Sequence, residues 1–114
     1  MIRQGDVFWV SFPKRGGSAP AGRRPAVVLQ CDAINGTAIS TVVVGAITSN
    51  LKYRPLPTSV MIPRKEAGLP ADSLANLTLV RTIDKSQLGE RIGRLSAARI
   101  REVLEALRVL FDMR

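Results

Sequence analysis

The sequence predicts a mainly β fold, a small and largely antiparallel barrel that ends in one α-helix. Short segments rich in β-forming residues recur along the chain and are separated by Gly, Pro and Asn, as is typical of small all-β architectures. A sustained helical period occurs only near the C-terminus. With 114 residues, 46% of them hydrophobic, the chain can bury one core, so a single domain over residues 1–114 is expected.

Two strands joined by a loop are predicted in the first part of the chain. Residues 5–12 are rich in β-formers, including Trp9 and two phenylalanines. Residues 16–22 are small, uncharged and Gly- or Pro-rich, so they are expected to form a loop. The short apolar run that follows places the second strand at 25–31.

Three further strands are predicted in the middle of the chain. Asn35-Gly36 is a strong tight-turn signal, and the segment that follows it is rich in β-branched residues. Two prolines indicate a turn further on. The predicted strands are 38–48, 58–63 and 73–83, the last as one strand or a pair of strands. A turn is predicted over 52–57, and a short helical turn and loop over 64–72.

The last part of the chain is predicted to hold a short strand and the C-terminal helix. Asp84 is an N-cap candidate for a brief helix over 85–88, and the final strand is placed at 90–95. Ser96 is an N-cap candidate for a helix over 97–111, which contains no Gly or Pro and repeats apolar residues with the helical period. This helix is expected to pack on the sheet.

The charge distribution predicts an anionic partner for the first half of the chain. The net charge is +8 and the pI is near 11.1, which favours nucleic acid first and an acidic protein segment second. Residues 1–65 carry nine basic and two acidic residues, a net +7, whereas residues 66–114 carry eight and seven, a net +1.

The rarest residue types exclude several function classes. The chain has no histidine and one cysteine, which removes His-based acid–base catalysis and the usual zinc sites, so no metal or cofactor is expected. The single Cys31 cannot form an internal disulfide, and this fits a reducing compartment. No signal peptide and no apolar run long enough to span a bilayer are seen, so a cytoplasmic protein with no membrane partner is expected.

Arg23 and Arg24 stand where the predicted loop meets the second strand. A guanidinium on a rigid element at a loop mouth is well placed to hold an anion. From this stretch alone, two solvated arginines flanking a strand are the more common case.

Four motifs resemble, in order and spacing, those of the MazF/PemK toxins, the endoribonuclease halves of bacterial type II toxin–antitoxin pairs. The resemblance runs from the first strand to the final helix and implies an SH3-like, CcdB/MazF-like barrel with a C-terminal helix, assembled as a homodimer. The motifs are Gly5-Asp6-Val7-Phe8-Trp9-Val10, Gly22-Arg23-Arg24-Pro25-Ala26-Val27-Val28, Ala46-Ile47-Thr48-Ser49 and Val80-Arg81-Thr82-Ile83-Asp84-Lys85.

The resemblance implies sequence-specific, metal-independent cleavage of single-stranded RNA. It also implies an antitoxin whose acidic, partly disordered C-terminal segment lies over the RNA site. The family's catalytic arginine precedes the proline of the second strand, which is Arg24 here, and its catalytic threonine ends the third strand, which is Thr48 here.

The chemistry of RNA agrees with these two residues. The 2′-hydroxyl can attack the neighbouring phosphate, leaving a 2′,3′-cyclic phosphate and a 5′-hydroxyl, so the protein needs only to align the nucleotide and stabilise the phosphorane. Arg24 offers a fork of donors and stays protonated. Thr48 can donate to a non-bridging oxygen, although a hydroxyl capping a strand end is the alternative.

The resemblance leaves the general base and the RNA contacts less defined. Many relatives have an acidic–amide pair after the loop serine, whereas Ser18 is followed by Ala19-Pro20. Arg81 and Asp84 are expected to form a structural pair that ties strand to helix. The candidate RNA-binding residues are Arg15, Ser18, Arg23, Ser49, Lys52, Tyr53 and Arg54.

Two other functions fit a barrel of this kind. A CcdB-like gyrase poison would act through a C-terminal tail containing tryptophan, and the chain ends at 110–114 without one. A non-catalytic SH3-like module for RNA or protein is kept open by Ala19-Pro20, but the presence of both Arg24 and Thr48 argues against it.

Overall fold

A computed structural model describes residues 1–14, 17 and 21–113, which form one six-stranded antiparallel sheet and a C-terminal helix. The strand order in the sheet is β4-β5-β3-β2-β1-β6. The strands are β1 Asp6–Phe12, β2 Gly22–Val28, β3 Thr41–Thr48, β4 Ser59–Ile62, β5 Ser73–Asp84 and β6 Leu88–Arg94. The helices are α1 Asp32–Asn35 and α2 Ala97–Leu110, with 3₁₀ turns at Leu51–Tyr53, Glu66–Gly68 and Lys85–Gln87.

The sheet curls into a barrel, as one contact across its interior shows. The guanidinium carbon of Arg81 on β5 lies 5.2 Å from the ring centroid of Phe12 on β1. The ladders place Arg81 level with Val28 of β2, whereas Phe12 is level with Gly22 of β2. In a flat sheet the two residues would therefore be about 14 Å apart across three strand spacings and about 20 Å apart along the strands. No two side chains bridge that separation, so the predicted barrel is confirmed.

Strand alternation sends neighbouring side chains into two separate apolar clusters, and this is why the strands contain nearly continuous apolar runs. Val28, for example, joins the inner cluster, whereas Val27 joins the outer cluster beneath α2. The buried residues of the inner cluster are Val10, Phe12, Ala26, Val28, Val42, Val44, Ala46 and Ile83. Those of the outer cluster are Val7, Val27, Leu29, Ile47, Val60, Ile62, Leu69, Ala75, Leu77, Leu95, Val103 and Ala106.

Helix α2 forms as the sequence predicts and covers the outer cluster. The Ser96 hydroxyl oxygen accepts a hydrogen bond from the Arg99 backbone N–H at 3.1 Å, which caps the first turn. Val103 and Ala106 are buried against the sheet. No helix in residues 1–14, 17 and 21–113 is long and apolar enough to span a bilayer.

The second strand begins and ends earlier than predicted. It spans Gly22–Val28 instead of 25–31, because its first residues pair with β1, from Phe12 opposite Gly22 to Trp9 opposite Pro25. Both arginines of the second motif therefore lie within a strand and take opposite faces.

The tight turn predicted at Asn35-Gly36 is present, since the Thr37 N–H donates to the Ile34 carbonyl at 3.0 Å. It follows a turn of helix that the sequence analysis did not predict. Asp32 Oδ1 accepts from the Gln4 backbone N–H at 2.7 Å, and Asn35 Nδ2 donates to the Gln30 carbonyl at 2.8 Å. These bonds hold α1 against the sheet, and β3 begins at Thr41 instead of residue 38.

Candidate functional site

The mouth of the barrel is formed where β2 and β3 part. Their ladder runs from Val28 opposite Val44 to Ala26 opposite Ala46 and stops there. The next residue of β2 is Pro25, which has no N–H to donate to a partner strand. Extending the same register by two residues would set Arg24 opposite Thr48. The two predicted catalytic residues therefore flank the gap between the parted strands.

Arg24 and Thr48 also share a face of the sheet. Each lies two residues from an inner-cluster alanine, Ala26 or Ala46, so strand alternation directs both toward the open end of the barrel interior. Arg24 is exposed and Thr48 is half-buried. Both residues therefore lie on the face of the inner cluster, one on each of the two strands whose ladder ends at Ala26 and Ala46.

The Arg24 guanidinium is oriented by one hydrogen bond. Its Nε donates to the Ala21 carbonyl at 2.9 Å. Within the described part of the chain, its two terminal nitrogens make no hydrogen bond and no ion pair. The bond to Ala21 therefore sets the direction of the side chain, while the edge that suits bidentate contact with a phosphate stays free.

The Thr48 hydroxyl caps the strand end, and this leaves its proton free for the catalytic role that the sequence analysis also considers. Its Oγ1 accepts from the Asn50 backbone N–H at 3.1 Å, a capping bond at the strand end. The Thr48 backbone pairs with Leu74 of β5, which anchors this end of β3. Because a hydroxyl can accept and donate at once, the Thr48 proton remains available for a ligand oxygen.

Arg23 does not share the mouth with Arg24. Its guanidinium carbon lies 4.3 Å from the ring centroid of Trp9, on the opposite face of the sheet. Consecutive strand residues alternate, so the two arginines cannot form one anion site. Arg23 instead forms an exposed cation–π pair with a half-buried tryptophan.

Other candidate RNA-binding residues follow Thr48 directly. Ser49 is exposed, and Asn50 Oδ1 accepts from the Lys52 backbone N–H at 3.1 Å to start a 3₁₀ turn. The Lys52 ammonium lies 4.9 Å from the Tyr53 ring centroid. Arg54 is exposed at the end of this turn. Ser18 and Arg15, like Ala19-Pro20, lie outside the described residues.

The sequence interpretation of Arg81 is wrong. Arg81 and Asp84 make no ion pair in the described part of the chain, and the Asp84 backbone N–H instead donates to Gln87 Oε1 at 2.9 Å. Arg81 extends over Phe12, and its Nη1 is buried with no hydrogen-bond partner among the residues that the structure describes. Arg81 lies two residues after Leu79 and two before Ile83, and both of these face the interior. Strand alternation therefore directs Arg81 to the interior as well, and this is the sequence signal that was missed.

No group of three or more His, Cys, Asp or Glu side chains in residues 1–14, 17 and 21–113 is arranged to hold a metal ion.

Comparison with known proteins identifies the family. Residues 3–111 match the model of PemK-like, MazF-like toxins of type II toxin–antitoxin systems. The chain belongs to this family. It is 34% identical over 113 residues to the endoribonuclease MazF2 of Mycobacterium bovis, covering 99% of both chains.

Solved structures of MazF proteins share the fold. MazF from Deinococcus radiodurans superposes with a TM-score of 0.81 at 27% identity, covering 98% of this chain and 97% of that one. An endoribonuclease in complex with its cognate antitoxin from a mycobacterial species has a TM-score of 0.77 at 18% identity, covering 99% and 95%.

Membership of the MazF/PemK family confirms the resemblance, the SH3-like barrel fold and the toxin endoribonuclease class. The comparisons do not support the CcdB-like gyrase poison or the non-catalytic binding module.

Proposed function

We propose that this MazF/PemK toxin cleaves single-stranded RNA at a specific sequence, without a metal or cofactor, through Arg24 and Thr48. The observation that carries the proposal is the placement of these two residues on one face, across the gap where β2 and β3 part. A ribose-phosphate group in that gap would meet a guanidinium on one side and a hydroxyl on the other.

The reaction uses the substrate's own nucleophile. The 2′-hydroxyl loses its proton to solvent as its oxygen forms a bond to the adjacent phosphorus. The bond from phosphorus to the 5′-oxygen breaks, and the leaving oxygen takes a proton from solvent, so protons balance overall. The products are a 2′,3′-cyclic phosphate and a 5′-hydroxyl. The protein lowers the barrier by holding attacking and leaving oxygens in line and by stabilising charge on the phosphorane.

Arg24 and Thr48 divide the stabilisation of the phosphorane. The free guanidinium edge of Arg24 donates to the non-bridging oxygens, and it acts electrostatically because a guanidinium stays protonated. The Thr48 hydroxyl donates to one of the same oxygens while it keeps its bond from Asn50. Loss of such a donor costs about a hundredfold or more in rate.

The proposed partners follow from charge and from the relatives. The net +7 of residues 1–65 favours an RNA strand and also an acidic antitoxin segment that occupies the same mouth. A relative of the same fold forms a complex with its cognate antitoxin. The toxin is proposed to act in the cytoplasm as a homodimer.

The test is incubation of the purified protein with a long single-stranded RNA in EDTA, followed by sequencing of the fragment ends. We expect cuts at one short motif, with 5′-hydroxyl ends. Intact RNA, or cleavage that appears only when a divalent cation is restored, would refute the proposed function.

A further inference from the structure

We propose that Arg81 binds a phosphate of the RNA strand at the barrel mouth, beside Arg24. This inference rests on the proposed function and adds to it a third residue, one that the family motifs do not place in the reaction. Its role is substrate binding and positioning, because nothing in the structure puts it in contact with the reacting oxygens.

The first observation is an unsatisfied donor. Arg81 Nη1 is buried and has no hydrogen-bond partner, although buried polar groups in proteins are nearly always paired. It is the one buried side-chain nitrogen or oxygen without a partner in the described part of the chain. A charged donor left unpaired in a low-dielectric site costs stability, and a ligand oxygen that paired with Nη1 would remove this cost.

The second observation is the position of the donor. The Arg81 guanidinium lies over Phe12, and Phe12 pairs with Gly22 at the start of β2, while Val10 pairs with Arg24. Phe12 and Arg24 are therefore diagonal neighbours on the inner face, a spacing of about 7–8 Å. Phe12 is therefore a neighbour of both Arg81 and Arg24 on the inner face.

The third observation is the chemistry of the missing partner. A guanidinium is planar, stays charged and matches the oxygens of a phosphate. Arg81 projects from a strand, and its guanidinium rests on the Phe12 ring. The side chain therefore loses little conformational freedom when it binds a phosphate. Since Arg24 is assigned to the scissile phosphate, Arg81 would hold a neighbouring phosphate of the same strand.

The experiment measures binding without cleavage. The probe is a short RNA that carries the mapped cleavage motif with 2′-deoxyribose at the cut position, titrated at several salt concentrations. For Arg81→Met we expect binding about ten- to a hundredfold weaker and a slope of log affinity against log salt that is smaller by about 0.7, the value for one phosphate contact on a single strand. Arg81→Lys should keep the slope and recover part of the affinity.

A matched control removes the same charge elsewhere. Arg101 is exposed on α2, and Arg101→Met should leave both the affinity and the slope close to wild type. Thermal melting separates binding from folding. Because Met keeps an apolar stem over Phe12 and removes the unpaired donor, Arg81→Met should melt no lower than wild type.

Three results would overturn the inference. The first is an Arg81→Met variant with wild-type affinity and slope. The second is a lower melting temperature or loss of the dimer in that variant, with the slope unchanged. The third is weaker binding of an acidic antitoxin peptide by the variant while its binding of RNA stays at the wild-type level. A wild-type protein that fails to bind the RNA would instead refute the proposed function, and this inference with it.

Discussion

Arg24 and Thr48 are each held by one hydrogen bond that leaves the useful donors free. The Arg24 Nε bond to Ala21 and the Asn50 bond to Thr48 Oγ1 set direction without using the guanidinium edge or the hydroxyl proton. Arg81 shows the opposite arrangement, a buried donor with no hydrogen-bond partner in residues 1–14, 17 and 21–113. These are the donors that the proposals above assign to the RNA strand.

Asp32 gives a pH-dependent prediction for stability. The Gln4 backbone N–H bond, and then the Asn35 side chain, lower the pKa of Asp32 below its ordinary value of 3.8. A carboxyl with a lowered folded pKa stabilises the protein above the unfolded pKa, and this contribution is lost as the pH falls through the folded pKa. Asp32→Asn should therefore melt below wild type at pH 6.

The difference in melting temperature between Asp32→Asn and wild type should disappear as the pH falls below 3.8. Thermal melting followed by circular dichroism from pH 6 to pH 2 checks this. A difference in melting temperature that stays constant over that range would show that the charge of Asp32 does not stabilise α1.

At the scale of elements, the packing of α2 depends on Gly5. Gly5 has a φ of +91° and lies against Ile100 of α2, so a Cβ there would overlap the Ile100 side chain. The Gly5 N–H donates to the Val28 carbonyl at 2.9 Å, and its carbonyl accepts from the Leu95 N–H at 3.0 Å. The residue cannot shift without breaking these bonds.

Gly5→Ala should lower the free energy of unfolding by about 2–4 kcal/mol, from left-handed backbone strain together with overpacking. Gly22→Ala is the control, because Gly22 has a φ of +78° but, among the described residues, no neighbour within 4 Å of an added Cβ, and it should lose only about 1–2 kcal/mol. Urea denaturation measures both. Equal losses would show that the Ile100 contact contributes nothing.

The elements that could be predicted from the sequence are those specified by local patterns. Ser96 and the apolar period after it predict α2 almost to the residue. Arg23 and Arg24 were assigned to one loop mouth because the pairing that extends β2 to Gly22 comes from β1, which is distant in sequence. The α1 turn was missed for the same reason, since Gln4 and Gln30 hold it from outside the segment.

At the scale of the whole molecule, curvature of the sheet positions the residues of the proposed site. Arg24 and Thr48 come from strands whose ladder stops at Ala26 and Ala46, and Arg81 lies over Phe12 only because β5 curls toward β1. The sequence motifs identify the first two residues through resemblance. Arg81 could not be placed in this way, because barrel curvature is a property of all six strands together.

The central claim is that Arg24 and Thr48 act together on one phosphate across the parted strands. The most direct measurement is the single-turnover rate of RNA cleavage for Arg24→Ala, Thr48→Ala and the double variant, with folding and dimerisation checked for each. Each single variant should lose about a hundredfold or more, and the double variant should lose less than the product of the two losses. Cleavage at the wild-type rate by either single variant, or losses that simply multiply, would contradict the claim.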